Sequence, residues 1–226
     1  MSRSVAIVSA VFCLALAAPV TAQVCGGRAS FASNPYQVAG GAEFGDNAKA
    51  FGGQFAFGGR GAFGEIGLST TSYDNVDGST MTFSGGAGYE MSLDKKGVFY
   101  LCPVAGIAFG SGPHDIDYYG DGSLVLDLSE TDFNFGISVG AVASQTSTTR
   151  IIPTASIALV NASGKAKDQV SGTSASQSET YGSLGLGMGF LFNEVVSVRP
   201  GVAIPFGLDG ASTSFSATVS INFGKK

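Results

Sequence analysis

Residues 214–223 read Ser-Phe-Ser-Ala-Thr-Val-Ser-Ile-Asn-Phe. Phe215, Ala217, Val219, Ile221 and Phe223 share one parity, and Ser214, Ser216, Thr218, Ser220 and Asn222 share the other. Side chains of an extended chain alternate between faces, so this is a strand with one apolar and one polar face. The same period recurs upstream. Met81, Phe83, Ala87, Tyr89 and Met91 oppose Thr82, Ser84, Gly86, Gly88 and Glu90. Phe133, Phe135, Ile137 and Val139 oppose Asp132, Asn134, Gly136 and Ser138, and Leu184, Leu186, Met188 and Phe190 oppose Ser183, Gly185, Gly187 and Gly189. Ten strands are expected, near 36–44, 48–58, 62–73, 79–91, 97–109, 131–143, 150–161, 180–192, 195–205 and 213–223.

The connections sort into two sets. Those near 45–47, 74–78, 110–130, 162–179 and 206–212 include both long loops, whereas those near 59–61, 92–96, 144–149 and 193–194 are all short. Long outer loops and short inner turns are the asymmetry of an up-and-down transmembrane barrel. The expected fold is therefore all-β, an antiparallel up-and-down transmembrane β-barrel of ten strands, with eight as the alternative if two strands merge. A proline with an isoleucine four residues later recurs at Pro103/Ile107, Pro153/Ile157 and Pro200/Ile204. Proline cannot donate to a ladder, so three at equivalent heights predict a ring of local ladder defects near the inner rim.

Composition narrows the class. The chain has 226 residues, 44% hydrophobic and 13% charged, with 34 glycines and a net charge of −5. It is too apolar for a disordered chain and lacks the basic face that a nucleic-acid partner needs. At the N-terminus Arg3 precedes the apolar run Val5–Ala18, then Pro19 and the small-residue site Val20-Thr21-Ala22. This is the pattern of a secretory signal peptide. Residues 1–22 are read as that signal, 23–35 as a periplasmic or lumen-plug segment, and 36–226 as the barrel domain. The processed chain keeps Cys25 and Cys102 in a disulfide-permissive compartment, where either one disulfide or a free thiol pair results.

Alternation alone leaves open whether the apolar face meets lipid or forms the core of a soluble barrel. The polar face is rich in Gly, Ser and Thr and poor in Lys and Glu, unlike a water-facing surface. With the export signal, that favours lipid. On the strand Phe215–Phe223, the strand start Arg199-Pro200 and the glycine-alternating Gly182–Phe190, the chain resembles the outer-membrane β-barrel domain family. These are the small barrels related to outer membrane protein A and to the virulence-associated outer-membrane proteins. The resemblance spans about residues 36–224. It implies location in the outer membrane of a two-membrane bacterial envelope. The chain departs from the family in ending on Gly224-Lys225-Lys226 and in having no Trp, so any aromatic girdle must come from its 7 Tyr and 17 Phe.

The charges on the lumen parity are few. Glu65, Glu90 and Arg199 fall there, toward the inner half, and Arg28 in the preceding segment could join them as a lumen charge cluster. A charge in a narrow lumen must be paired or solvated. Cys102 faces the same way, so a Cys25–Cys102 disulfide would tie the segment into the barrel, with lumen glycines making room. Asp115, Asp117 and Asp121 make the long loop 110–130 acidic, without the spacing of a helix-loop-helix calcium site. His114 beside Asp115 could in principle activate water, but no nucleophile-elbow sequence accompanies it. No catalytic residue, metal site or cofactor is expected. The expected function is an outer-membrane barrel with a structural, adhesion or surface-interaction role and at most a narrow plugged pore. Its partners would be outer-membrane lipid and an extracellular surface met through loops 110–130 and 162–179, and the barrel would be a monomer. The alternatives are a small-solute pore or transporter, and a secreted soluble β-barrel binding an apolar ligand.

Overall fold

The computed structural model describes residues 24–31, 34–74, 76–114, 116–117, 125–208 and 211–224. The expected signal peptide lies outside the described residues. Ten long strands follow in order: β1 (Tyr36–Phe44), β2 (Ala48–Gly59), β3 (Ala62–Tyr73), β4 (Val76–Tyr89), β5 (Phe99–Ser111), β6 (Val125–Ala141), β7 (Thr149–Asp168), β8 (Ser174–Phe192), β9 (Val196–Phe206) and β10 (Ser214–Phe223). Two-residue strands at Met91–Ser92, Ile116–Asp117 and Ser144–Gln145 extend the ladders locally. Each long strand pairs antiparallel with the next. β1 pairs with β10 from Tyr36↔Phe223 to Phe44↔Phe215, which closes the sheet into a barrel. The strand number is ten, and the eight-strand alternative falls.

Closure fixes which face is which. The apolar parity points outward: Phe215 is 64% exposed, Phe135 63% and Leu159 60%. The polar parity points in, with Gln37, Ser197, Ser220 and Asn222 buried. A soluble barrel would have the reverse, with its apolar face as the core. An outward belt of Phe, Leu, Ile and Val around a closed ladder suits lipid, where every backbone N–H and C=O must be paired within the protein. Aromatic rings gather at the inner rim of the seam, where Tyr36 stacks against Phe55 and tilts against Phe223. At the opposite end of β1, Phe44 meets Phe51 edge-on.

The inner turns explain their sequence. Arg60 and Gly61 both have positive φ, 53° and 89°, as a two-residue hairpin loop with the twist of its strands requires. In the β4–β5 turn the exposed Asp94 carboxylate accepts backbone N–H bonds from Phe99 and Val98 at 2.8 Å and from Lys96 at 3.0 Å. Chiefly the Phe99 bond, with those from Val98 and Lys96, holds its pKa below the ordinary carboxylate value. A depressed carboxylate contributes stability above its unfolded pKa and loses it as pH falls through the folded value.

The outer ends differ from the sequence reading. The stretch 162–179, read as a loop, is mostly strand: β7 runs on to Asp168 and β8 starts at Ser174, paired as far as Lys167↔Ser174. β6 likewise begins at Val125 rather than near 131. The strands continue beyond the apolar belt, so the outward positions Asn161, Ser163, Lys165 and Lys167 are polar and the alternation that marks a strand disappears.

Ile157 lies on the outward face of β7, opposite Ile137 and Leu184. Ile157→Arg should destabilise the barrel in lipid vesicles by about 2–4 kcal/mol, measured by urea titration of the folded, heat-modifiable form, because it places a cation in the apolar belt.

Candidate functional site

The inner half of the lumen is filled by the chain's own N-terminal segment. Val24, Cys25, Arg28, Ala29 and Phe31 are all buried. The segment turns on itself through Gly27 N–H to Val24 C=O at 3.0 Å, with Gly27 at φ 71°. Cys25 is bonded to Cys102 on β5, 77 residues away. Closing a loop of that length stabilises by about 4 kcal/mol in the chain-entropy account.

Two dry clusters hold the plug. Phe31 stacks on Phe63 and packs with Ala56, Val104 and the disulfide, while Val24 and Ala29 pack against Ile152 and Leu191. The wall facing the plug is bare where the two backbones meet. A Cβ on Gly189 would lie 2.2 Å from Gly27 O, and one on Gly140 would lie 2.3 Å from Val24 O. Glycine is the only residue that permits those approaches.

The prolines mark this seat. The β4–β5 ladder passes from Gly88↔Val104 to Met91↔Leu101, skipping Cys102 and Pro103. The β6–β7 ladder passes from Thr154↔Gly140 to Ile151↔Ser144, skipping Ile152 and Pro153. The β8–β9 ladder passes from Gly187↔Gly201 to Phe190↔Val198, skipping Arg199 and Pro200. On its other side each proline strand stays paired. The missing N–H therefore faces the preceding strand each time. The residue before each proline points into the lumen and touches the plug: Cys102 through the disulfide, Ile152 through packing, and Arg199 through Nη1–H to Gly26 C=O at 3.0 Å.

The four charged residues singled out from the sequence all lie around the plug but divide their tasks. Arg28 Nη1 donates to Gln37 Oε1 at 2.5 Å and stands 3.9 Å from Glu65 Oε2, and Nη2 donates to Gln54 Oε1 at 3.3 Å. Gln54 donates in turn to Glu65. Glu65 feels the charges of both Arg28 and Arg199. Glu90 takes no part in this cluster. Its carboxylate accepts from Val24 N–H at 3.0 Å and Ser30 Oγ at 2.9 Å, so it grips the plug backbone. The network continues through Gln37 Nε2 to Asn222 Oδ1 at 2.5 Å and Asn222 Nδ2 to Val195 C=O at 2.9 Å. Ser138 Oγ donates to Cys25 C=O at 2.7 Å.

Gln37, Gln54 and Ser138 were missed as site residues. Their signal was their parity, since uncharged polar groups also face the lumen. Above the plug is a cavity of about 270 Å3, with Arg28, Glu65 and Arg199 toward the plug and Ser69, Ser156 and Ser216 among its walls. Asp115 and Asp121 of the acidic outer loop lie outside the described residues, as does the side chain of Asp117. His114 Nδ1 stands 3.3 Å from Asp127 Oδ1.

No protein-family model and no curated protein matches the sequence. Among solved structures, the N-terminal β-barrel domain of Pseudomonas aeruginosa OprF is similar at 13% identity, over 84% of this chain and 98% of that one, with a TM-score of 0.37. Ail, the attachment invasion locus protein of Yersinia pestis, is similar at 12% identity, over 84% and 95%, with a TM-score of 0.41. The β domain of the Bordetella autotransporter Brka is similar at 12% identity, over 84% and 100%, with a TM-score of 0.47. By its own closure, alternation and outward apolar belt, this chain is a ten-stranded antiparallel β-barrel, and the solved structures it resembles are outer-membrane β-barrels.

Proposed function

We propose that the protein is exported and works in the outer membrane of a two-membrane envelope, as a monomeric barrel with a structural or surface-interaction role. The observation that carries this reading is the lumen. Its inner half is occupied by a disulfide-tied segment with a packed apolar interior, so no continuous water path is needed and at most a narrow pore remains. A ten-stranded barrel has little more interior than side chains can fill. The outward belt supports lipid as the surrounding phase.

The surface offered to a partner is the outer end. There the β7–β8 hairpin stands beyond the belt, with Asn161 Nδ2 donating to Thr180 Oγ1 at 2.8 Å and Ser163 and Ser178 hydroxyls bonded at 2.8 Å across its face. The stretch 110–130 is the second contact region. Such hydroxyl- and amide-bearing faces suit polar partners such as glycans or extended peptides. No catalytic role is assigned.

The membrane reading is tested by gel mobility of boiled against unboiled protein from a carbonate-washed membrane fraction. A shift on boiling is expected, and recovery in the soluble fraction with no shift would sink the reading. The plug reading is tested in planar bilayers. Oxidised wild type should show little conductance, whereas Cys25→Ser should open frequently and lose about 4 kcal/mol of stability. Large, steady channels from oxidised wild type would refute a plugged lumen. Gly189→Val should expel the plug without touching the disulfide residues, which faster reduction of the Cys25–Cys102 bond by a mild reductant in the folded barrel, trapped by alkylation of the freed thiols, would detect.

A further inference from the structure

Among the carboxylates on the outer half of the lumen wall, two stand together on one strand and meet no basic side chain among the described residues. Glu130 and Asp132 stand two residues apart on β6 and so share its lumen face. Asp132 is flanked by Ala108 on β5 and Ala162 on β7, and Glu130 by Gly110 and Gly164. These small neighbours offer the acids no side-chain partner. Glu130 lies across the bare Gly110, where a Cβ would come within 2.4 Å of Glu130 Cγ. Asp132 is 2% exposed, and its Oδ1 is buried without a hydrogen bond from any described residue. The Asp132 charge acts on Glu130, and both act on the Tyr73 hydroxyl, which is bonded to Thr80 Oγ1 at 3.3 Å.

Among the described residues no basic side chain answers these acids. Lys49 is paired with Asp74, Lys165 and Lys167 have the outward parity of β7, and Arg28 and Arg199 are engaged at the plug. A buried carboxylate oxygen without a donor is costly, and two side by side are more so.

We propose that Glu130 and Asp132 form the seat of a divalent-cation site in the outer lumen, with Ca2+ as its occupant and the Tyr73 hydroxyl within its shell. All the donors are oxygen, which selects a hard cation, and Ca2+ accepts irregular shells completed by water. No group of three His, Cys, Asp or Glu side chains converges among the described residues, so the ion keeps several waters and exchanges readily. The two acids give the outer lumen a local negative charge that attracts cations and repels free phosphates.

Isothermal titration of the folded, detergent-solubilised barrel with CaCl2 should find one ion per barrel. Saturating Ca2+ should raise Tm by about 3–5 °C, while NaCl of equal ionic strength leaves it unchanged. Asp132→Asn and Glu130→Gln should each lower the Ca2+ affinity at least about tenfold. Both should remain heat-modifiable and be no less stable than wild type without Ca2+, since each removes an unpaired charge. Absence of a Ca2+-specific shift in wild type would overturn the site. So would an undiminished shift in both variants, which would place the ion on the exposed outer acids. Should either variant fail to fold, the other variant and the wild-type titration still decide.

Discussion

The constraint on which the structure depends is that a chain crossing a hydrocarbon layer must satisfy every backbone N–H and C=O internally. A β-sheet does so only by having no edge. Here the pairing of Tyr36–Phe44 with Ser214–Phe223 removes the edge by joining the first long strand to the last. Once the ladder closes, the two-residue alternation becomes an inside and an outside, and the apolar parity must be the outside. The lumen then inherits Gly, Ser, Thr and a few charges.

A closed ladder creates a second problem, which is the interior. The N-terminal segment solves it at the inner end by bringing a small apolar core of its own, Val24, Ala29 and Phe31, onto Ile152, Leu191 and Phe63. The three X-Pro steps connect the two problems. Each interrupts one ladder at the height of the plug, and each is preceded by a side chain that holds the plug. Backbone hydrogen bonding is therefore relaxed at the ring where the plug supplies other contacts. Glu90, beside the first interruption, turns its carboxylate to the plug backbone.

The interior is also divided along its axis. Guanidinium groups and amides surround the plug, while Glu130 and Asp132 stand further out among alanines and glycines. The outer hairpin rises past the belt on the polar residues of β7 and β8, buttressed inside by Val160, Ala162 and Tyr181 with Leu208 against them. The end that presents itself to the exterior is therefore supported by its own small packed cluster.

Strand number, faces and the order of turns were legible in the sequence because alternation is local: each residue's face follows from its neighbour's. Glu65, Arg199 and Asn222 were placeable on the lumen side for the same reason, and two remaining thiols admitted a single disulfide. A signal for the plug was also present, since Phe190-Leu191-Phe192 and Ile151-Ile152 break the alternation and put apolar groups on both faces. Such a break says that the interior is dry there, but not what makes it so. Only the tertiary structure decided that Glu90 serves the plug backbone and not an arginine. It also decided that 162–179 is a hairpin and that Asp132 Oδ1 meets no donor among the described residues. Those outcomes depend on strand tilt and stagger, which bring residues from distant strands to one height and appear in no local pattern.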